Sequence, residues 1–204
     1  MSASIVKYTK TEGILDFSGI CGQLCFLLSC VIMVSRRKEG YIMHIVLLEP
    51  EIPQNAGNIA RTCAVTNSVL HLIKPLGFSV EDKYLKRAGL DYWKLLDIRY
   101  YENFQDFCEK NPDAKIWMAS TKARHVYSDV TFGEDDYVMF GRESAGIPEE
   151  ILMANEANTI RIPMLEAARS LNLSNSVAII IYEAMRQQGF PGMLMEGQLH
   201  HNKW

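Results

Sequence analysis

The stretch Glu49-Pro50-Glu51-Ile52-Pro53-Gln54-Asn55-Ala56-Gly57-Asn58-Ile59-Ala60-Arg61 follows directly on the apolar run His44-Ile45-Val46-Leu47-Leu48. An apolar run reads as a strand buried on both faces, and the polar stretch after it reads as a turn leading into a helix. In this reading Pro50 and Pro53 stiffen the turn, Gly57 permits an unusual backbone bend, and Asn58 caps a helix running to Thr66. The same grammar repeats along the chain. Strands are expected at 43–48, 69–74, 96–100, 115–120, 136–140 and 159–162, and helices at 58–66, 81–88, 103–110, 148–154 and 174–188. Alternation of this kind predicts an α/β fold, a mainly parallel sheet flanked by helices. Such sheets build binding sites in the turns at the carboxyl ends of their strands.

Two further polar, glycine-containing turns follow apolar runs. Phe140-Gly141-Arg142-Glu143-Ser144-Ala145-Gly146-Ile147-Pro148 places two glycines around a carboxylate. That spacing suits close approach of a ligand to the backbone, though an ordinary tight turn would also explain it. Pro148 with Glu149 and Glu150 suits the first turn of the next helix. The third turn runs from Arg161-Ile162-Pro163 to Arg169-Ser170-Leu171-Asn172-Leu173-Ser174-Asn175. Period-two alternation there aims Ser170, Asn172 and Ser174 one way and the leucines toward the core, with Ser174 or Asn175 capping the last helix. That helix carries Val177, Ile179, Ile180, Ile181, Ala184 and Met185, little polar face, and so belongs in a core or an oligomer interface. In the first turn, Asn58 and Arg61 share a helix face and suit an anionic group such as phosphate. Alternatively Asn58 is only a cap and Arg61 only a surface ion pair.

Composition sets bounds. A chain of 204 residues, 48% hydrophobic and 22% charged, fits a single soluble domain with a true core. No G-x-G-x-x-G, G-x-x-x-x-G-K-[ST], H-E-x-x-H or G-x-S-x-G occurs, which disfavours dinucleotide, P-loop, zinc-protease and serine-hydrolase chemistry. The histidines show no ligand spacing, so no metal is expected, and His44 and His71 inside strands read as satisfied structural residues. Cys63 and Cys108 read as thiols in a reducing compartment, the cytoplasm.

Residues 1–42 differ from the rest. Ile20 to Val34 is apolar but short for a bilayer span, which needs about 20 residues, and no cleavage site follows. Lys38-Glu39-Gly40 back-translates to a purine run like a bacterial ribosome-binding site just before Met43. The expectation is therefore a non-native or disordered leader over 1–42, a domain over 43–192 and a loose tail over 193–204, with no membrane association. The first 42 residues hold five of the 21 basic and three of the 24 acidic residues, which leaves 16 and 21 and a net charge of −5. Binding to nucleic acid then needs locally clustered cations, for which Lys74, Lys83, Lys86, Arg87, Lys122, Arg124 and Arg142 are candidates.

Taken in order, the three turns resemble the motifs of the SpoU branch of the SPOUT RNA methyltransferases. Asn55-x-Gly57-Asn58-Ile59-x-Arg61 is similar to the first motif, and Phe140-Gly141-x-Glu143-x-x-Gly146-Ile147-Pro148 to the second. Ile162-Pro163 onward to Ser170-Leu171-Asn172-Leu173-Ser174-Asn175-Ser176 is similar to the third. Lys74-Pro75-Leu76-Gly77-Phe78 and Lys86-Arg87-Ala88-Gly89-Leu90-Asp91-Tyr92-Trp93 resemble a subgroup that methylates the ribose of nucleotide 34 in tRNA.

The resemblance implies a C-terminal trefoil knot, an obligate homodimer, S-adenosylmethionine as methyl donor and a tRNA anticodon stem-loop as partner, with leucine tRNAs the family expectation. It implies a cofactor pocket walled by Ala119, Gly141, Ile162, Ser170 and Leu171, and a catalytic set of Arg61, Asn58, Glu143, Ser170 and Asn172, with Arg61 supplied by the other subunit. Arg61 is either the group that takes the ribose proton or a phosphate binder, with Ser170, Asn172 or a water helping to accept the proton. Two alternatives stay open: methylation of another RNA site, such as ribosomal RNA, and a non-catalytic RNA-binding protein on the same scaffold.

Overall fold

The computed structural model describes residues 41–79 and 96–204. Its centre is a 7-stranded sheet of β1 (His44–Leu48), β2 (Val69–Ile73), β3 (Ile98–Tyr101), β4 (Ile116–Ala119), β5 (His125–Val126), β6 (Tyr137–Phe140) and β7 (Thr159–Arg161), in the order β3-β2-β1-β6-β4-β7-β5. Every neighbouring pair is parallel, so the sheet is wholly rather than mainly parallel. β1 and β2 are buried along their full length, as continuous apolar runs require. β5 escaped the sequence reading because a two-residue strand shows no periodicity. The expected helix at 81–88 lies outside the described residues.

Alternate strand residues feed two cores. On one face Ile45, Leu47, Leu70, Leu72, Val138 and Ile160 pack with Ile59, Ala60 and Cys63 of α1 (Pro53–Thr66) and with Val177, Ile180, Ile181 and Ala184 of α4 (Leu173–Gln187). On the other, Val46, Leu48, Ile73, Met118 and Met139 pack with Phe107 of α2 (Phe104–Lys110) and Leu152 of α3 (Glu149–Ala154). Burial of these side chains, about 1.5–3 kcal/mol each, is the main force holding the layers together. Tyr41, assigned to the leader from sequence, packs against the first core, and its hydroxyl lies 3.2 Å from the Ala184 carbonyl oxygen. No helix among the described residues is long and apolar enough to cross a membrane.

The expected start of the first helix fails. α1 starts at Pro53, not Asn58, with Ile52 at the cap position and no side-chain cap of its own, while Gly57 is buried inside the helix. Proline has its φ preset for the first helical turn and lacks an N–H that would go unpaired there, so Pro53 opens the helix instead of stiffening a loop. α4 buries Val177, Ile180, Ile181, Ala184 and Met185, and its outer face, still largely apolar, leaves Ile179 and Tyr182 37% and 44% exposed.

His44 and His71 are satisfied structural residues. His44 Nδ1 and His71 Nε2 share a hydrogen bond of 2.9 Å, and His71 Nδ1 shares another of 2.9 Å with the Tyr101 hydroxyl. Burial, then the neighbouring His44, pushes the His71 pKa down from 6.5 to about 3, and burial lowers that of His44. The unfolded chain therefore takes a proton near pH 6.5 that folded His71 refuses until about pH 3. Stability is full above that window and declines as pH falls through it, by up to about 1.4 kcal/mol per pH unit for one histidine. Urea unfolding at steps from pH 7.5 to 4 should show this decline, and His71→Gln should make it shallower.

Candidate active site

Because the strands are parallel and β1, β6, β4 and β7 are successive neighbours, the turns after them gather at one edge of the sheet. They enclose a cleft of about 560 Å³. Its floor is apolar, from Phe140, Ile147, Ile160, Ile162 and Ile180, and its walls are the 141–146 turn, Ala119 to Lys122, and the 169–173 segment.

One side chain ties the turns together. Asn55 is buried within the first turn of α1, and its Nδ2 donates to Glu143 Oε1 at 2.9 Å. Its Oδ1 accepts from Asn172 Nδ2 at 3.0 Å. Glu143 also accepts from the backbone N–H of Glu51 at 2.8 Å and of Ile52 at 3.2 Å. The carboxylate from the second turn thus caps α1, which has no cap of its own, and sits where the helix dipole favours negative charge. Asn172 works at the other end of this chain. Its Oδ1 accepts from Ser174 N–H at 3.0 Å, Ser174 Oγ at 2.7 Å and Asn175 N–H at 3.3 Å. Asn172 is therefore the cap of α4, in place of the expected Ser174 or Asn175. Its backbone is still extended (ψ 137°), the conformation a cap needs, whereas Ser174 is already inside the helix.

The second turn closes on itself. A Cβ on Gly141 would lie 2.1 Å from the Gly146 carbonyl carbon, and Gly146 has φ +73°, so the crossing of 141 over 146–147 excludes a side chain at Gly141. Arg142 pairs with Glu49, which stands at φ 52° in the turn after β1.

Of the residues singled out from sequence, Ala119, Gly141, Ile162, Ser170, Leu171, Glu143 and Asn172 line this cleft. Asn58 and Arg61 do not line it: both are exposed on the outer face of α1. Leu171 is 37% exposed and lines the cleft instead of anchoring in the core. Asn55 was missed as a site residue. With the helix start placed at Asn58 it looked like one more loop position. Of the candidate cations, Lys74, Lys122, Arg124 and Arg142 are each paired with a glutamate, namely Glu102, Glu149, Glu156 and Glu49. Lys83, Lys86 and Arg87 lie outside the described residues. Arg169 lines the cleft and has no ion pair among the described residues.

The model of the SpoU rRNA Methylase family matches residues 42–182. The chain belongs to that family. A tRNA (cytidine(34)-2′-O)-methyltransferase of Yersinia pestis is 47% identical, over 76% of this chain and 99% of its own length. Its counterpart of the same name in Saccharophagus degradans is also 47% identical, over 74% and 99%. A Listeria innocua protein, 53% identical over 75% of this chain and 92% of its own, carries that name provisionally. A solved structure described as giving insight into 2-OH methylation of C/U34 on tRNA superposes with a TM-score of 0.70 at 46% identity, covering 73% of this chain and 97% of that one. The fold of this SpoU family member is thus shared over 73% of its chain.

Replacing Asn55 tests the knot of hydrogen bonds at the cleft. Asn55→Ala leaves Glu143 and Asn172 each short of a partner, and unfolding experiments should show a loss on the order of 2–3 kcal/mol. Asn55→Asp should cost at least as much, since it turns a donor toward Glu143 into a second carboxylate.

Proposed function

We propose that this chain transfers the methyl group of S-adenosylmethionine to the ribose 2′-oxygen of nucleotide 34, cytidine or a modified uridine, in a tRNA, with leucine tRNAs as the expected class. The observation that carries the reading is the joining of three family motifs at one cleft through Asn55, Glu143 and Asn172, in a chain nearly half identical to tRNA (cytidine(34)-2′-O)-methyltransferases over 99% of their length.

The cleft fits the cofactor. A volume of about 560 Å³ lies within the range for small-molecule sites. The apolar floor of Phe140, Ile147, Ile160 and Ile162 suits an adenine ring, and the polar rim of Ser170 and Asn172 suits the ribose and amino-acid parts. When bound, the sulfonium supplies an activated methyl, so what remains for the protein is to place the acceptor and draw off its proton. A ribose hydroxyl is a poor nucleophile until that proton leaves. Ser170, on the 169–173 wall, is placed to orient the ribose hydroxyl, whose proton leaves through water to bulk solvent, while the Asn172 carboxamide, held by Asn55, Ser174 and Asn175, fixes the wall itself. Arg61, whose guanidinium offers several N–H donors and no acceptor, acts on the phosphate next to the target ribose.

Arg61 reaches a cleft only from a second subunit in this reading. It stands with Asn58 and Val65 on the exposed face of α1, and α1 packs on α4, which exposes Ile179 and Tyr182. Unpartnered apolar side chains on two adjoining helices support a homodimer across that face. A C-terminal trefoil knot belongs to the same reading. Supporting it, β7 inserts between β4 and β5, which are consecutive in the chain, so the chain after β7 leaves the sheet beside the 120–124 connection. On the rim, Arg169 and Lys122 offer positive charge to the RNA backbone.

Mass spectrometry of tRNA incubated with the protein and S-adenosylmethionine should find one added ribose methyl, at nucleotide 34. Arg61→Ala should lower turnover by at least about 100-fold while S-adenosylhomocysteine binds within a few-fold of normal. Methylation elsewhere, or near-normal turnover of the variant, would refute the respective assignment.

A further inference from the structure

Glu51 does not line the cleft, yet it touches the wall that does. It works in both directions at once. Its backbone N–H donates to Glu143 Oε2 at 2.8 Å, while its own carboxylate accepts from the Ser144 N–H at 2.9 Å and from Ser144 Oγ at 2.8 Å. With the Arg142–Glu49 ion pair, residues 142, 143 and 144 are each tied to the 49–52 turn. That turn is braced from behind. Gly77 N–H donates to the Pro50 carbonyl at 2.9 Å, and a Cβ on Gly77 would lie 2.7 Å from Glu51 Cα. The 49–52 turn is therefore the fixed side of the contact, and the 142–144 turn is the side being held.

We propose that Glu51 is a positioning residue: by holding Ser144 it sets the 142–146 wall in the conformation that receives S-adenosylmethionine. The role rests on the methyltransferase reading above and extends it to a residue outside the cleft. Two hydrogen bonds onto one carboxylate locate Ser144 more closely than one could, and Ser144 lies between Glu143 and Ala145, both cleft residues. The same two bonds hold the Glu51 carboxyl below its ordinary pKa. The carboxylate form persists down to moderately acidic pH, and the clamp loosens only when Glu51 takes a proton.

The test is calorimetric titration with S-adenosylhomocysteine of the wild-type protein, Glu51→Gln, Ser144→Ala and the double variant, with Tm measured for each. A glutamine keeps the size but offers one acceptor where the carboxylate offers two. Glu51→Gln should weaken binding by about tenfold with little change in Tm, and the double variant should bind about as well as Glu51→Gln, because both substitutions break the same contact. Wild-type affinity should fall as pH drops into the carboxylate range, and Glu51→Gln should lose the part of that fall that Glu51 supplies. A Glu51→Gln protein that binds within twofold of wild type overturns the proposal, as does one that loses Tm but not affinity. If the wild-type protein itself binds no S-adenosylhomocysteine, the cofactor reading of the cleft falls, and this role with it.

Discussion

The buried carboxamide of Asn55 is the constraint on which the site depends. It donates to a carboxylate that arrives with the turn after β6 and accepts from an amide that arrives with the turn after β7. Neither partner is near it in sequence, and Asn55 is almost fully shielded from water. A buried amide with no partners would cost more than the bonds themselves return, so the contact acts as a requirement that all three turns be in place. Each of its two partners also closes a helix end: Glu143 caps α1 and Asn172 caps α4. Helix termini, loop positions and cleft shape are therefore one structural problem with one solution.

The sheet makes that solution reachable. In an all-parallel sheet the chain returns to the same edge after every strand, and the order places β1, β6, β4 and β7 side by side. Turns separated by most of the domain in sequence are then separated by single strand spacings, about 5 Å, in space. Gly141 contributes by letting its turn fold back over Gly146, which brings the Glu143 carboxylate toward α1 instead of into solvent.

The strands were legible because full burial on both faces leaves an unbroken apolar run, as in Ile45-Val46-Leu47-Leu48 and Val138-Met139-Phe140. The start of α3 was legible too, since Pro148, Glu149 and Glu150 suit a helix N-terminus whatever surrounds them. The starts of α1 and α4 were not. A local reading looks for a cap in the adjoining residues, and α1 takes its cap from Glu143, on another turn. At α4 the candidates Asn172, Ser174 and Asn175 are equivalent by residue type, and the choice of Asn172 is bound up with its second bond to Asn55. Type and spacing marked only the three polar turns, and the family resemblance supplied the individual residues, of which Ala119, Gly141, Glu143, Ile162, Ser170, Leu171 and Asn172 line the cleft. That Arg61 and Asn58 face away from it follows only from the helical phase of α1, which depends on where that helix begins.

A net-acidic protein acting on RNA raises an electrostatic question, and the ion pairs bear on it. Lys122 with Glu149 and Arg124 with Glu156 are pairs in which every side chain is more than half exposed. Exposed pairs of this kind contribute about 0–1 kcal/mol and are screened by salt. Exchanging a glutamate for a phosphate oxygen therefore costs the protein little, and the phosphate can accept from the same ammonium or guanidinium. Cations paired this weakly can exchange their glutamates for phosphate oxygens, and such an exchange favours a backbone that presents several phosphates together over a single small anion. Weak pairing of its cations is thus compatible with RNA binding at a net charge of −3, because carboxylates this exposed can swing into solvent when displaced.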